Sequence, residues 1–453
     1  MRRSLRHAAM PLFMVLCLIL GGSTRAAWAN MILQLLAIAI IAWAALSRPR
    51  MQLSKSASWL IWLVGLMIAI VALQLVPLPP ALWRLLPGRD VVVNGYALLG
   101  QPLPWLPLSL APAQTMSSAL WLLPPVALLA GTLRLGAYKA SWFAFALVAT
   151  TFVSVLLGAL QVTRGGWAYF HEITNVGVAT GFFANANHMA TLLLVTVPFL
   201  IALLGARKAR SKSLQSSVSK VAIVAGGLMV ILLGLALNGS LAGWGLAVPV
   251  VAASLLIRSP LADRRARWAL AGAGMLGIAA AALVLSSPLQ NNLTSAGADQ
   301  SVESRRTTFA RSLTAAADFA PFGSGIGSFE LLYPSYEDPG AVGLTYVNHV
   351  HSDYIEIALE TGLAGVVLTV LFLLWWGART TAIWRDETID FQARAATIAS
   401  AAMLAHSLVD YPLRTSGLAA MFAICLALMI APRPRLRVKP LEGDQQAKHL
   451  SIG

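Results

Sequence analysis

The chain has 453 residues, 58% of them hydrophobic and 11% charged, with a mean hydropathy of +0.72, which excludes an ordinary soluble domain and defines a polytopic integral membrane protein. The formal charge of +15 does not signal a nucleic-acid partner, because the basic residues sort by membrane side instead of forming one patch. Cys17 and Cys425 both lie in apolar runs, leaving no disulfide framework or thiolate metal cluster, and are expected as lipid-facing or packed thiols.

At the N-terminus, Arg2, Arg3 and Arg6 precede a short apolar run at 8–22 and the small-residue stretch Ala26-Ala27-Trp28-Ala29. Residues 1–30 therefore read either as a cleavable signal or as a first span. Runs long enough to cross about 30 Å of hydrocarbon follow near 31–46, 58–76, 116–133, 141–160, 186–205, 220–237, 241–257, 268–286, 362–378, 395–409 and 415–432, the run at 395–409 being the weakest. The expected fold is all-α, a polytopic transmembrane helix bundle of about 11–12 spans.

With the N-terminus cytoplasmic and every span counted, 25 of the 33 Lys and Arg fall on the cytoplasmic side, including Arg207, Lys208, Arg210, Lys212, Arg258, Arg264, Arg265 and Arg267. The eight outside are Arg25, Arg84, Arg89, Arg164, Arg305, Arg306, Arg311 and Arg414, the asymmetry of the positive-inside rule. Acidic residues lean the other way, six inside and twelve outside, so the net charge splits into about +19 and −4.

Two outer segments are long. Residues 77–115 carry Pro77-Leu78-Pro79-Pro80, Trp83, Trp105, Pro107 and Pro112 with few charges; proline stops helices and tryptophan favours the headgroup region, so this segment is expected to lie along the outer interface. Residues 287–352 form the one long polar interval. Within it, Arg305 to Asp318 is expected as a surface helix ended by Pro321, followed by Pro321-Phe322-Gly323-Ser324-Gly325-Ile326-Gly327-Ser328-Phe329. Glycines at alternate positions permit tight turns and close backbone approach, and exposed amides at such a turn can hold an anion; alone the signal is weak, because a glycine cluster in a loop is more often only a turn.

The polar interval ends in Val347-Asn348-His349-Val350-His351-Ser352-Asp353-Tyr354-Ile355-Glu356-Ile357-Ala358-Leu359-Glu360-Thr361-Gly362. On a helix starting near Ser352, Asp353, Glu356 and Glu360 share a face. Ser352 or Asp353 is a natural N-cap there, its first-turn carboxylates complementing the helix dipole. His349 and His351 just before it, beside an arginine-bearing loop, are candidates for proton chemistry. Earlier, Gly181-Phe182-Phe183-Ala184-Asn185-Ala186-Asn187-His188-Met189-Ala190 opens the span at 186–205, with Asn185 as its expected cap and Asn187 and His188 in its first turn near the loop histidines. His406 and Asp410 stand at i, i+4 near an outer helix end, a functional candidate or a mutually satisfied structural pair.

The strings Gly181 to His188 and His351 to Gly362, with Arg305/Arg306 and Pro321 to Gly327 between them, resemble the bacterial O-antigen ligase/polymerase family. The likeness covers roughly 175–375, and the His406/Asp410 stretch resembles the usual C-terminal part. It implies a GT-C-like membrane glycosyltransferase of the inner membrane with one large periplasmic loop. The organisation is then residues 1–30 signal-like or first span, 31–170 N-terminal spans with the segment 77–115, 175–378 a ligase-like core with periplasmic loop 287–352, 379–432 C-terminal spans, and 433–453 a cytoplasmic tail.

The implied donor is a glycan on undecaprenyl pyrophosphate, and the implied acceptor is lipid A-core, another glycan, or in related enzymes a protein; membrane lipid surrounds the site. The family is thought to act without metal, nucleotide sugar or other cofactor, inverting the anomeric carbon. Its essential loop arginine falls on Arg305 or Arg306 and its essential histidine on His351. One departure stands out: the family often shows Ser-Arg-Gly before an outer-side span, and here Asn238-Gly239-Ser240-Leu241-Ala242-Gly243 places Leu241 at the arginine, which bears on carrier binding and on activity itself.

The chemistry suits these residue types. Arginine holds phosphate oxygens in pairs and stays charged, so Arg305 or Arg306 is expected on the departing pyrophosphate. A neutral imidazole is suited to take the acceptor's proton, giving His351 as base, oriented by Asp353 or His349, with Asn187, His188, Gly323 and Gly325 as further substrate contacts. A good leaving group needs no strong general acid, so a glycosidase-type carboxylate pair is not required. The alternatives are a polysaccharide polymerase, a transporter, which would place ionisable groups at the midplane, and a non-catalytic polysaccharide-assembly protein.

Overall fold

A computed structural model describes residues 2–47, 53–164, 166–171, 177–205, 214–258, 297–341, 346–386 and 390–430, with the single residues 272, 275 and 388. Most of the expected span at 268–286, the cytoplasmic arginines and lysines between 207 and 212 and between 264 and 267, the first ten residues of the polar loop and the tail 433–453 lie outside these residues.

The described chain is a helical bundle. Six of its helices are long and apolar enough to cross a membrane, and the stretches 6–20, 222–238, 241–255 and 416–430 are shorter apolar helices. With residues 391–406, also helical, every expected span that lies within the described residues is helical, 116–133 as two consecutive helices.

The first helix, α1 (Arg2–Leu20), is built into the core, with Met10, Met14, Cys17 and Leu18 fully buried. The next two, α2 (Ala27–Leu46) and α3 (Lys55–Gln74), are peripheral, Trp59 and Trp62 being exposed on a bundle whose solvent there is hydrocarbon. Both cysteines are packed inside the protein, which selects the packed alternative.

Residues 77–115 are more structured than their proline content suggests. A two-residue antiparallel ladder pairs Pro77 with Pro107 and Leu78 with Leu106. It closes a loop containing α4 (Pro80–Trp83) and α5 (Asp90–Leu98). Trp83 is fully buried and donates through Nε1 to the Pro104 carbonyl at 2.9 Å, an anchor inside the segment where an interfacial tryptophan was expected; Trp105 is exposed. The expected span 116–133 is two helices, α6 (Pro112–Trp121) and α7 (Leu123–Leu133), the Pro124-Pro125 pair lying just inside the second, where missing amides cost least.

After α8 (Ala140–Arg164) come α9 (Ala186–Gly205), α10 (Leu214–Asn238) and α11 (Leu241–Leu255). The central helix is α9, packed against α8, α10 and α11, its residues from Met189 to Val195 buried. Asn185 caps it as expected, Oδ1 accepting from the Asn187 amide at 2.8 Å. The polar interval holds α12 (Gly297–Asp318), longer at its start than the expected surface helix, and α13 (Phe329–Leu332). Ala315, Phe319, Phe329, Tyr333, Val350 and Leu359 form a second small core fixing α12 over the end of the bundle.

Next is α14 (Asp353–Arg385), broken at Gly362, where φ is 58° and ψ −149°. Only glycine adopts that conformation freely, and the break falls where the apolar run starts in sequence. The bundle is completed by α15 (Phe391–His406) and the almost wholly buried α16 (Ser416–Ile430), which packs on α1, α7 and α15.

Candidate functional site

The ends of α9, α14 and α15 meet the turn between α15 and α16 at one end of the bundle. Asn348 to Ser352 crosses this junction. His351 has φ +62°, the one non-glycine residue with positive φ among the described residues, a conformation that costs about 1–3 kcal/mol unless its surroundings impose it. Its Nδ1 lies 3.3 Å from Asp410 Oδ1, with the imidazole 26% exposed and the carboxylate 1%. If Nδ1 carries the proton toward the carboxylate, Nε2 is left as the acceptor on the open side.

Asp410, not Asp353 or His349, is thus the group that orients His351. Its Oδ1 also accepts from the Tyr411 amide at 2.9 Å. Burial pushes the Asp410 carboxyl up, but the His351 hydrogen bond and the neighbouring His351, His188 and His406 rings outweigh it and hold it well below the usual carboxylate range. The expected His406/Asp410 side-chain pair does not form, because His406 Nδ1 meets Thr191 Oγ1 at 2.8 Å; the helical register points the two side chains at different neighbours.

The other two expected orienting groups are engaged elsewhere. His349 Nδ1 is 2.8 Å from Glu356 Oε1. Asp353 accepts from Ser407 Oγ at 2.7 Å and lies 3.4 Å from Arg414 Nε. Arg414 also meets Glu356 at 2.9 Å and Glu360 at 3.0 Å, so one guanidinium is shared by the whole acidic face of α14. Burial alone would lower the Arg414 value, but Glu356, Glu360 and Asp353 hold it above the ordinary arginine value. Ser352 occupies the cap position without a capping hydrogen bond, and Asp353 belongs to the ion-pair cluster on Arg414.

The glycine-rich turn is also used internally. Gly323 donates to the Phe319 carbonyl at 2.8 Å, Gly325 to the Glu360 carbonyl at 2.9 Å, and Gly327 to Glu360 Oε1 at 2.8 Å. Ile326 donates to Gln74 Oε1 at 2.9 Å. A Cβ on Gly325 would sit 2.6 Å from Ser109 Cβ, and one on Gly323 2.6 Å from the Gly362 nitrogen. Close approach, the first of the two readings of these glycines, is therefore what they provide. The anion cradle expected from Gly323 and Gly325 is replaced by a tether joining residues 74–115 to the start of α14, because the amides an anion would need are already donated to protein.

In the first turn of α9, Asn187 accepts from Ser240 Oγ at 2.7 Å. Ser240 in turn caps α11 through the Gly243 amide at 3.1 Å, so half-buried Leu241 stands in the helix turn adjoining Asn187. His188 is 2% exposed, edge-on to Tyr411 with ring centroids 5.0 Å apart. Among the described residues neither of its ring nitrogens has a hydrogen-bond partner. Tyr411 sits among the histidines, 4.2 Å from the His349 ring and 5.1 Å from the His351 ring, its hydroxyl accepting from Asn348 at 3.3 Å and Asn185 at 3.4 Å.

The two loop arginines separate. On α12, Arg305 is half-buried and close enough for its charge to act on the His406 ring, whereas Arg306 is exposed. Asp410 in its orienting role, Tyr411 and Arg414 are the residues sequence reasoning missed. Three carboxylates on one helix face require a cation, and Arg414, among the few outer basic residues, was the available signal.

An all-α membrane bundle with a histidine, carboxylate and arginine cluster gathered at one end defines a multi-pass membrane protein with a polar site of its own. Residues 226–370 match the family model described as O-antigen ligase, so this central part of the chain is similar to that family. The match includes Arg305, Arg306, the glycine-rich turn and His349 to Asp353, and stops short of Asn187, His188, His406, Asp410 and Arg414. No curated protein matches the chain.

Proposed function

We propose that the protein transfers a glycan from an undecaprenyl pyrophosphate carrier to a hydroxyl acceptor, such as lipid A-core, at the periplasmic face of the inner membrane. The observation that carries this reading is the His351–Asp410 dyad: a partly exposed imidazole braced from behind by a buried carboxylate. The family match supports ligase-type chemistry.

In this reaction the acceptor oxygen attacks the anomeric carbon, forming one C–O bond as the C–O bond to the pyrophosphate breaks, so a single displacement inverts the centre. His351 Nε2 takes the hydroxyl proton, a contribution of roughly 10²–10⁴ in rate, and Asp410 stabilises the imidazolium. The electron pair departs on the pyrophosphate, whose growing charge Arg305 meets; such a contact is worth about 3–4 kcal/mol in the transition state. The pyrophosphate leaves as an anion, so no acid is needed to protonate it. His188 packs edge-on against Tyr411, whose ring also meets His351, with Asn187 beside it in the first turn of α9.

The test is transfer by purified protein from carrier-linked glycan to candidate acceptors. Product is expected with wild type and lost in His351→Ala and Arg305→Ala at unchanged protein abundance; full activity in both variants rejects the reading. Cysteine labelling at residue 351 from the outside checks the orientation. A deletion strain accumulating unattached carrier-linked polymer supports the ligase, whereas single repeat units support a polymerase. Counterflow in sealed vesicles without change in covalency would favour a transporter.

A further inference from the structure

The backbone at His351 is imposed from both sides. Downstream, the Asp353 amide donates to the Ser407 carbonyl at 3.0 Å and the Asp410 carbonyl at 3.3 Å. Upstream, the two oxygens of one carboxylate divide their work: Glu356 Oε1 meets His349 Nδ1 at 2.8 Å and Oε2 accepts from the Val350 amide at 3.0 Å. Val350 itself is fully buried in the second core. Glu356 is 1% exposed and fixed by Arg414 Nη1 at 2.9 Å. The only non-glycine left-handed residue among those described thus stands one position beyond a peptide group clamped by a buried charged side chain.

We propose that Glu356 is the positioning residue of the dyad: its bidentate grip on His349 and Val350 holds His351 in the left-handed conformation that aims the imidazole at Asp410. This inference rests on the reading of His351 as the base. Glu356 touches neither substrate nor the reacting imidazole and acts through the chain that carries it. A strained conformation persists only where surrounding contacts over-determine it; upstream, Asn348 and the His349 ring touch Tyr411, but the charged contact to the two residues next to His351, the His349 ring and the Val350 amide, is that of Glu356. Without them the loop relaxes toward negative φ and the ring turns away from Asp410.

The geometry also indicates which variants fold. Removing the Glu356 carboxylate leaves Arg414 paired with Asp353 and Glu360, so Glu356→Ala does not strand a buried cation. Glu356→Gln keeps one oxygen for the Val350 amide and offers an amide donor to the other tautomer of the His349 ring, while Arg414 Nη1, which loses its Glu356 acceptor, keeps Glu360 at 3.0 Å.

The experiment measures kcat and KM for carrier-linked glycan, together with diethyl pyrocarbonate labelling of His351 quantified by peptide mass spectrometry, in full-length protein in detergent. Glu356→Ala is expected to lose at least 50-fold in kcat with KM within threefold of wild type, and to change its His351 labelling rate at least threefold. Glu356→Gln is expected to recover to within tenfold of wild-type kcat and to label like wild type. Wild-type labelling in Glu356→Ala overturns the proposal, as does a Gln variant as impaired as the Ala variant. A companion His351→Ala variant that retains activity rejects the base assignment instead, and the labelling result still decides whether Glu356 holds the ring.

Discussion

Replacing Asp410 by asparagine separates two roles of the orienting group. In the dyad Asp410 Oδ1 faces two donors, His351 Nδ1 at 3.3 Å and the Tyr411 amide at 2.9 Å. The second donor pins an oxygen at this position, so an asparagine presents its carbonyl and not its amide to the imidazole. The tautomer of His351 is then preserved and only the negative charge is lost. Hydrogen bonds to charged groups contribute about 1.5–3 kcal/mol against about 1 for neutral ones, so the loss is about 1–2 kcal/mol, or roughly 5- to 30-fold in rate. Asp410→Ala removes the orientation as well and is expected to cost roughly 10³-fold or more, toward the loss seen when a triad imidazole takes the wrong tautomer. The assay is single-turnover transfer from carrier-linked glycan at saturating acceptor. An asparagine variant as inactive as the alanine variant refutes the pinning by Tyr411, and wild-type rates in both refute the dyad.

Arg305→Ala should lose roughly 10²–10³ in kcat while exposed Arg306→Ala stays within about threefold; equal losses in steady-state transfer assays would falsify the separation of the two. Gly325→Ala forces a Cβ to within 2.6 Å of Ser109 Cβ at φ +105°, adding about 1–3 kcal/mol of overpacking, and should lower the thermal midpoint in detergent, whereas Gly100→Ala, with open space around it, bears only the conformational cost. Arg414→Ala leaves Asp353, Glu356 and Glu360 buried without their cation, a change of the kind that costs about 3–5 kcal/mol, so folded yield by size-exclusion chromatography should fall sharply. Because the Asp410 carboxyl is held below its ordinary range, its stabilising contribution is present above the unfolded value near about 4 and lost only as pH falls below it. The midpoint difference between wild type and Asp410→Asn should therefore hold from about pH 6 to about 4, and shrinkage already above 5 counts against the pairing.

The sequence alone determined the class and most of the helices. Hydrocarbon leaves the backbone no partner but itself, so long apolar runs become helices whatever they pack against. Asn185 as a cap and the shared acidic face of Asp353, Glu356 and Glu360 were legible because local spacing decides them. Tertiary structure decided the partnerships. Asp410 lies 59 positions from His351 and Arg414 lies 54 from Glu360, separations across which no periodicity carries information. The alternate glycines read as a turn before an anion nest, and their close approach emerged only when the fold brought Ser109 and Glu360 against them. Which of Arg305 and Arg306 is half-buried and which exposed depended on how α12 packs beside its small core of Ala315, Phe319 and Tyr333. Hydropathy sets where a chain enters the bilayer, and only packing sets which charges meet at its edge.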